Sequence, residues 1–197
     1  AVRRGEYNAA RKLLEEAVEM SKKVGDKRYM AFASAALAEV TWYMGNPIKA
    51  RNQYTESLAL YRELGDRRGE ANTLRNLGHL AHREGDERLA SNLYYQSLRI
   101  ERELRSEPNK ALLLGALAGL VGSLGNAREA ARLLGISDNA LKIAGGILPP
   151  IDRIQRKYTL ETLRAILGDS HLQELMVSGE AISLEKGLQL INFDLPQ

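Results

Sequence analysis

An all-α array of helical hairpins, coiling into a right-handed α-α superhelix, is the fold this sequence predicts, and three observations predict it. Gly5, Gly45, Gly85 and Gly125 recur at 40-residue intervals, each followed by a polar residue, Glu6, Asn46, Asp86 or Asn126. In the same cadence come Ala10, Ala50, Ala90 and Ala130, then Leu14, Tyr54, Tyr94 and Leu134, then Ala17, Ser57, Ser97 and Ser137. No segment sustains period-two alternation, so no sheet is expected.

Each column has a physical role in a hairpin. A small residue lets two helix backbones approach, and a glycine supplies the positive φ of a tight turn. A larger apolar residue one turn past the alanine fills the gap to the next pair. A lone hairpin leaves an apolar face wet, so the units must stack. Upstream of three junctions Leu37, Leu77 and Leu117 precede Ala38, Gly78 and Ala118, the same device on the partner helix.

This reading places second helices of the hairpins at about 6–24, 46–64, 86–104 and 126–144, and first helices at about 28–44, 68–84 and 108–124. Pro47 and Pro108 fall in opening turns, and Gly25-Asp26 and Gly65-Asp66 close helices. The rhythm stops at Ala144-Gly145-Gly146. Pro149-Pro150 then opens a helix with Ile151, Ile154, Tyr158, Leu163 and Ile166 as its expected apolar face. A short helix follows from Ser170 to about Ser178, stopped at Gly179, and a last one starts at Ser183 with Leu184, Leu188 and Ile191 on one face. Two domains are expected: a repeat array over 1–144, its first repeat lacking the leading helix, and capping helices over 145–197.

Composition narrows the function classes. The 197 residues are 44% hydrophobic, enough for a continuous core, and the net charge is only +3, weak support for nucleic-acid binding. A basic cluster of Arg67, Arg68, Arg75, Arg83 and Arg88 is the place such binding would use, but no direct nucleic-acid partner is expected. Cysteine is absent, which excludes disulfides and suits a reducing cytoplasm. The longest apolar run, the 14 residues from Ala111 to Leu124, is short of the roughly 20 that a bilayer needs, so no membrane partner is expected. The chain opens at Ala1 with a basic pair, Arg3-Arg4, inside half a repeat, and is expected to be part of something longer.

Gly78, Gly85, Ala90 and Tyr94 resemble the spine of tetratricopeptide repeats, in a 40-residue variety of the usual 34-residue unit. The resemblance covers residues 5 to about 144, with Arg62 and Arg102 where the family often has Pro, and Ser34, Leu74 and Leu114 where it often has Trp. It implies that first helices line a concave surface that binds a protein or peptide. The implied ligand-facing positions are Phe32, Ala35, Glu39, Trp42 and Tyr43, then Asn72, Arg75, His79, His82 and Arg83 with Asn76 beside them, then Leu112, Gly115, Gly119, Gly122 and Ser123. Arg75 and Arg83 suit a carboxylate of an acidic peptide, and Trp42 and Tyr43 a rigid apolar anchor. The bland readings are a solvated helix face and hairpin packing.

A second resemblance spans residues 125–191. Ala130 to Gly135, Leu148-Pro149-Pro150, Leu167-Gly168-Asp169 and Gly179 to Glu185 look, in that order, like the C-terminal end of bacterial signalling ATPases of the STAND class, of NB-ARC/LuxR type. It implies the regulatory sensor arm of a signalling or transcription-regulating ATPase, with the nucleotide-binding module of the parent chain as a further partner. A free-standing adaptor that clamps acidic peptide termini is the alternative.

No enzyme, cofactor or metal is expected. Gly115, Gly119, Gly122 and Gly125 are spaced for a helix face and lack the Lys-Ser/Thr of a phosphate-binding loop. His79 and His82 could share a zinc ion only with Glu39, and no nucleophile or oxyanion donor accompanies them for a hydrolase. Three glycines inside one helix cost roughly 1 kcal/mol each relative to Ala. The cap helices, or a ligand, are therefore expected against Gly115, Gly119 and Gly122.

Overall fold

The connectors between helices repeat one turn geometry every 20 residues. Gly25, Gly45, Gly65, Gly85, Gly125 and Gly145 all have positive φ, and Arg105 holds the same place in the series with φ 52°. The next residue donates its N–H back five positions, as in Asp26 to Ser21 O and Asp66 to Tyr61 O, both 2.9 Å, which closes each helix with a Schellman motif. Four of those residues also start the following helix. Asp26, Asp66 and Asp86 each accept at 2.9 Å, and Asn46 at 3.1 Å, from the N–H three residues on. One short connector thus satisfies orphan groups of both helices.

In the computed structural model the backbone is described for residues 2–191 and side chains for residues 6–191. The Arg3-Arg4 side chains and residues 192–197 of the expected cap lie outside the described residues. The helices are α1 Val2–Val24, α2 Lys27–Tyr43, α3 Pro47–Glu63, α4 Arg67–Arg83, α5 Glu87–Glu103, α6 Glu107–Ser123, α7 Ala127–Ile143, α8 Pro150–Leu167, α9 Asp169–Glu180 and α10 Leu184–Leu190. No strand occurs among the described residues, and the fold is the all-α array of helical hairpins that the periodicity predicts. Gly5, expected at a turn, instead lies within α1, which begins at Val2.

The chain forms two compact units, residues 1–80 and 81–197. In the first, α1 packs on α2 and α2 on α3. Ala50 and Tyr54 are fully buried on α3, and Ser57 Oγ donates to Ala31 O at 2.8 Å. Arg62, where proline was the familiar residue, ties the end of α3 to α4 through Glu70 at 3.0 Å.

In the second unit α6 packs on α5 and α7, with Ala90, Tyr94 and Ala130 fully buried. Ser137 Oγ donates to Ala111 O at 2.8 Å, the same clamp as Ser57 and one that recurs 80 residues on. The C-terminal helices do not stand apart: α8 covers α6, α9 packs along α7, and α10 touches both. Lys110 Nζ reaches Glu185 at 2.5 Å to hold α10, and Tyr95 donates to Ile191 O at 3.0 Å.

Two expectations for these helices need correction. Gly179 does not stop α9 but is buried within it, where α9 and α7 cross backbone to backbone. The buried row of α8 is Ile151, Gln155, Thr159 and Leu163, while Ile154, Tyr158 and Ile166 face solvent. The row follows the groove over α6, whose glycines admit polar side chains that apolar patterning assigns to water.

Candidate functional site

The ligand-facing positions expected from the repeat fall into two groups. In the first unit α2 presents Glu39, Trp42 and Tyr43, all partly exposed, and Phe32, which is open to solvent. The Trp42 and Tyr43 rings stack with centroids 6.1 Å apart, and Tyr7 of α1 adds a tilted contact on Tyr43 at 5.5 Å. The Tyr43 hydroxyl donates to Glu39 Oε1 at 2.6 Å. Burial first, and this bond second, push the phenol far above the ordinary tyrosine range, so it stays a neutral donor. The result is a rigid, mostly apolar platform with one carboxylate at its edge.

On α4, Asn72 and Asn76 are partly exposed one turn apart. Asn76 Nδ2 donates to the Tyr54 hydroxyl at 3.4 Å, and its Oδ1 has no partner among the described residues. Asn72 Oδ1 accepts from Arg75 Nη1 at 3.2 Å. Arg75 itself is 4% exposed and His79 1%, so neither is presented to solvent.

The second group lies in the unit of residues 81–197. His82 is 7% exposed and its Nδ1 stands 2.8 Å from Gln155 Nε2 of α8. The contact joins α8 to the end of α4, with the donor and acceptor set by the ring's tautomer. Arg83 is exposed and its guanidinium lies over the Tyr158 ring, 4.5 Å from the centroid. A methyl group on Gly119 would come within 2.7 Å of Thr159 Oγ1, and one on Gly122 within 3.3 Å of Leu163 Cδ2. The cap helix therefore lies against two of the three glycines. Gly115 is covered by Ser137 of α7, 2.8 Å from the same added methyl.

The carboxylate-clamping pair is not presented as expected, since Arg75 is buried and Arg83 is stacked on an aromatic ring. Among the described residues no group of three His, Cys, Asp or Glu stands together to hold a metal. Sequence reasoning missed Tyr7, Gln155 and Thr159. The unusual glycine content of α6 was the only signal for the last two.

Paired helices with small residues at their crossings and a repeated connector define a helical-repeat scaffold. Two overlapping stretches, residues 1–63 and 30–103, match the family model described as tetratricopeptide repeat, and the chain belongs to that family. Its repeats generally mediate protein–protein interaction and are typically non-catalytic. No curated protein matches the chain. No helix among the described residues is long and apolar enough to cross a membrane.

Proposed function

We propose that the chain binds a protein or peptide segment along the first-helix face of α2 and α4, through Trp42, Tyr43, Glu39, Asn72 and Asn76. One observation carries this reading. These positions keep part of their surface open, whereas Leu112, Gly119 and Gly122, their counterparts on α6, are buried beneath the chain's own helices. Trp42 and Tyr43 are stiff aromatic anchors that lose little entropy on binding. The two asparagines offer amide groups that pair with the backbone of a bound segment, and Asn76 Oδ1 is an acceptor in search of an N–H. Arg75 and His79, on the same helix as the asparagines, are buried.

At the level of the whole protein, this array serves as the sensor arm of a larger bacterial STAND-class ATPase that regulates signalling or transcription. The order of motifs from Ala130 to Glu185 supports that placement. Partner binding would then bias the parent's on/off equilibrium by contacts that differ between the two states. A nucleotide-binding module in the same reading frame is the expected finding; a frame without one favours the free-standing adaptor.

Affinity capture with the chain, beside Trp42→Ala and Asn72→Ala in the same bait, tests the binding face. Each substitution is expected to lower recovery of a specific partner by about tenfold or more. Equal recovery from all three baits contradicts the reading.

A further inference from the structure

Helix α8 is seated partly inside out. Its buried row places Gln155, 2% exposed, and Thr159, 4% exposed, at the centre, while Ile154 and Tyr158 are 41% and 44% exposed. An amphipathic helix that only capped a core would show the opposite distribution. The polar residues face the trough left by Gly119 and Gly122 and the end of α4, where Gln155 meets His82. The fit there is incomplete. Gln155 Oε1 is buried without a partner among the described residues, and a cavity of about 30 Å³ remains between His82, Gly119, Tyr158 and Thr159.

The flanks of α8 are built differently. Ahead of it the connector carries Gly145-Gly146, and behind it Gly168 has φ 75° and ψ 163°. Beyond these, α7 and α9 hold one another through backbone contacts of Gly135 and Gly179 that do not involve α8. Undocking α8 would leave those contacts in place and would break the Arg156–Asp138 pair that joins it to α7. On leaving it returns Gln155, Asp152 and Thr159 to water, which lowers the penalty of undocking relative to an apolar row.

We infer that α8 is an exchangeable occupant of a helix-receiving groove formed by α6 and the end of α4, and that the external ligand of this groove is a partner's α-helix that displaces it. The occupant defines the chemistry of the rival. It carries a small hydroxyl or amide residue over Gly119, an aliphatic residue four positions later over Gly122, and an aromatic or acidic residue placed to meet Arg83. The inference rests on the reading of first-helix faces as ligand surfaces, and it adds that this one is self-occupied and takes a helix.

The test uses the full chain and a labelled peptide of residues 150–167 as probe. Thr159→Arg in the protein removes the fit of its own α8 while leaving α6 and α4 untouched. That variant is expected to bind the peptide about tenfold or more tightly than the unsubstituted protein does, and to ignore a peptide carrying Thr159→Arg and Leu163→Arg. Adding Gly119→Leu to the variant is expected to abolish binding by filling the trough. A folded Thr159→Arg protein that binds no better than the parent, or binds both peptides alike, overturns the inference. Should that variant fail to fold, hydrogen exchange on the unsubstituted chain decides: amides of 155–163 exchanging about tenfold faster than those of 130–137 support it, and equal protection overturns it. Loss of capture by Trp42→Ala with failure here would leave the binding face standing and remove only the exchange of helices.

Discussion

Gly135 on α7 lies against the backbone of Met176 on α9, so close that a methyl group on Gly135 would stand 2.9 Å from Met176 Cα and nearer still to its carbonyl. Gly179 meets Arg132 in the same way, with 3.2 Å to its Cα. Backbone on both sides cannot yield as a side chain would. Gly135→Ala and Gly179→Ala are each expected to lower stability by about 2–3 kcal/mol, although alanine is favoured over glycine in a helix by about 1 kcal/mol. Urea unfolding monitored by circular dichroism measures the loss; an unchanged midpoint would mean that the two helices do not cross there.

Arg105 is the one non-glycine residue with positive φ among the described residues, at the position where six glycines repeat the same turn. An L-residue in this region is strained by about 1–2 kcal/mol. Arg105→Gly is accordingly expected to raise stability by about 1 kcal/mol, partly offset by the greater freedom of glycine in the unfolded chain. Thermal unfolding of the two proteins side by side shows whether the strain exists, since a lower midpoint for the glycine variant denies it.

The hydroxyls of Ser57 and Ser137 make the same buried bond to a carbonyl 26 residues earlier. Ser57→Ala and Ser137→Ala are each expected to lose about 1 kcal/mol, the net worth of a buried neutral hydrogen bond. The double variant should lose the sum, because the two bonds share no residue. Chemical denaturation of the single and double variants is the check.

Three groups make the fold alkali-sensitive. Burial raises the Tyr43 phenol, with the hydrogen bond to Glu39 adding to it, and burial raises Tyr61 as well. At Lys110 burial opposes the charge, but hydrogen bonds to Glu107 and Glu185 outweigh it and hold the ammonium above its usual range. Each folded value lies above the unfolded one, so the stability these groups contribute is present below about pH 10 and is lost as pH rises through the folded values. Denaturation midpoints are expected to fall as pH rises above about pH 10. Tyrosinate absorbance should show Tyr43 ionising only as the fold opens, and less reluctantly in Glu39→Gln.

Much of the fold was legible because it repeats. A column such as Ala50, Ala90 and Ala130 states its role several times, and helix ends predicted from it fall within a residue or so of α2 to α7. Single-copy features were harder. Gly179 looks like a stop in isolation, since only the backbone of Arg132, far away in sequence, explains a glycine there. The face of α8 was misassigned because apolar patterning cannot foresee a trough that accepts Gln155 and Thr159. The site was half legible. Trp42, Tyr43, Asn72 and Asn76 keep part of their surface open, but polar residues such as Arg75 and His79 read as solvated when tertiary packing buries them.

The central claim is that the ligand meets first helices and not second ones, and a photo-crosslinking amino acid placed at single positions tests it most directly. Probes at Trp42 and Asn72 on first helices, and at Glu56 and Asn92 on exposed points of second helices, sample both faces. The account predicts partner adducts from Trp42 and Asn72 alone. Adducts of equal yield from Glu56 or Asn92, or only from those, would contradict it.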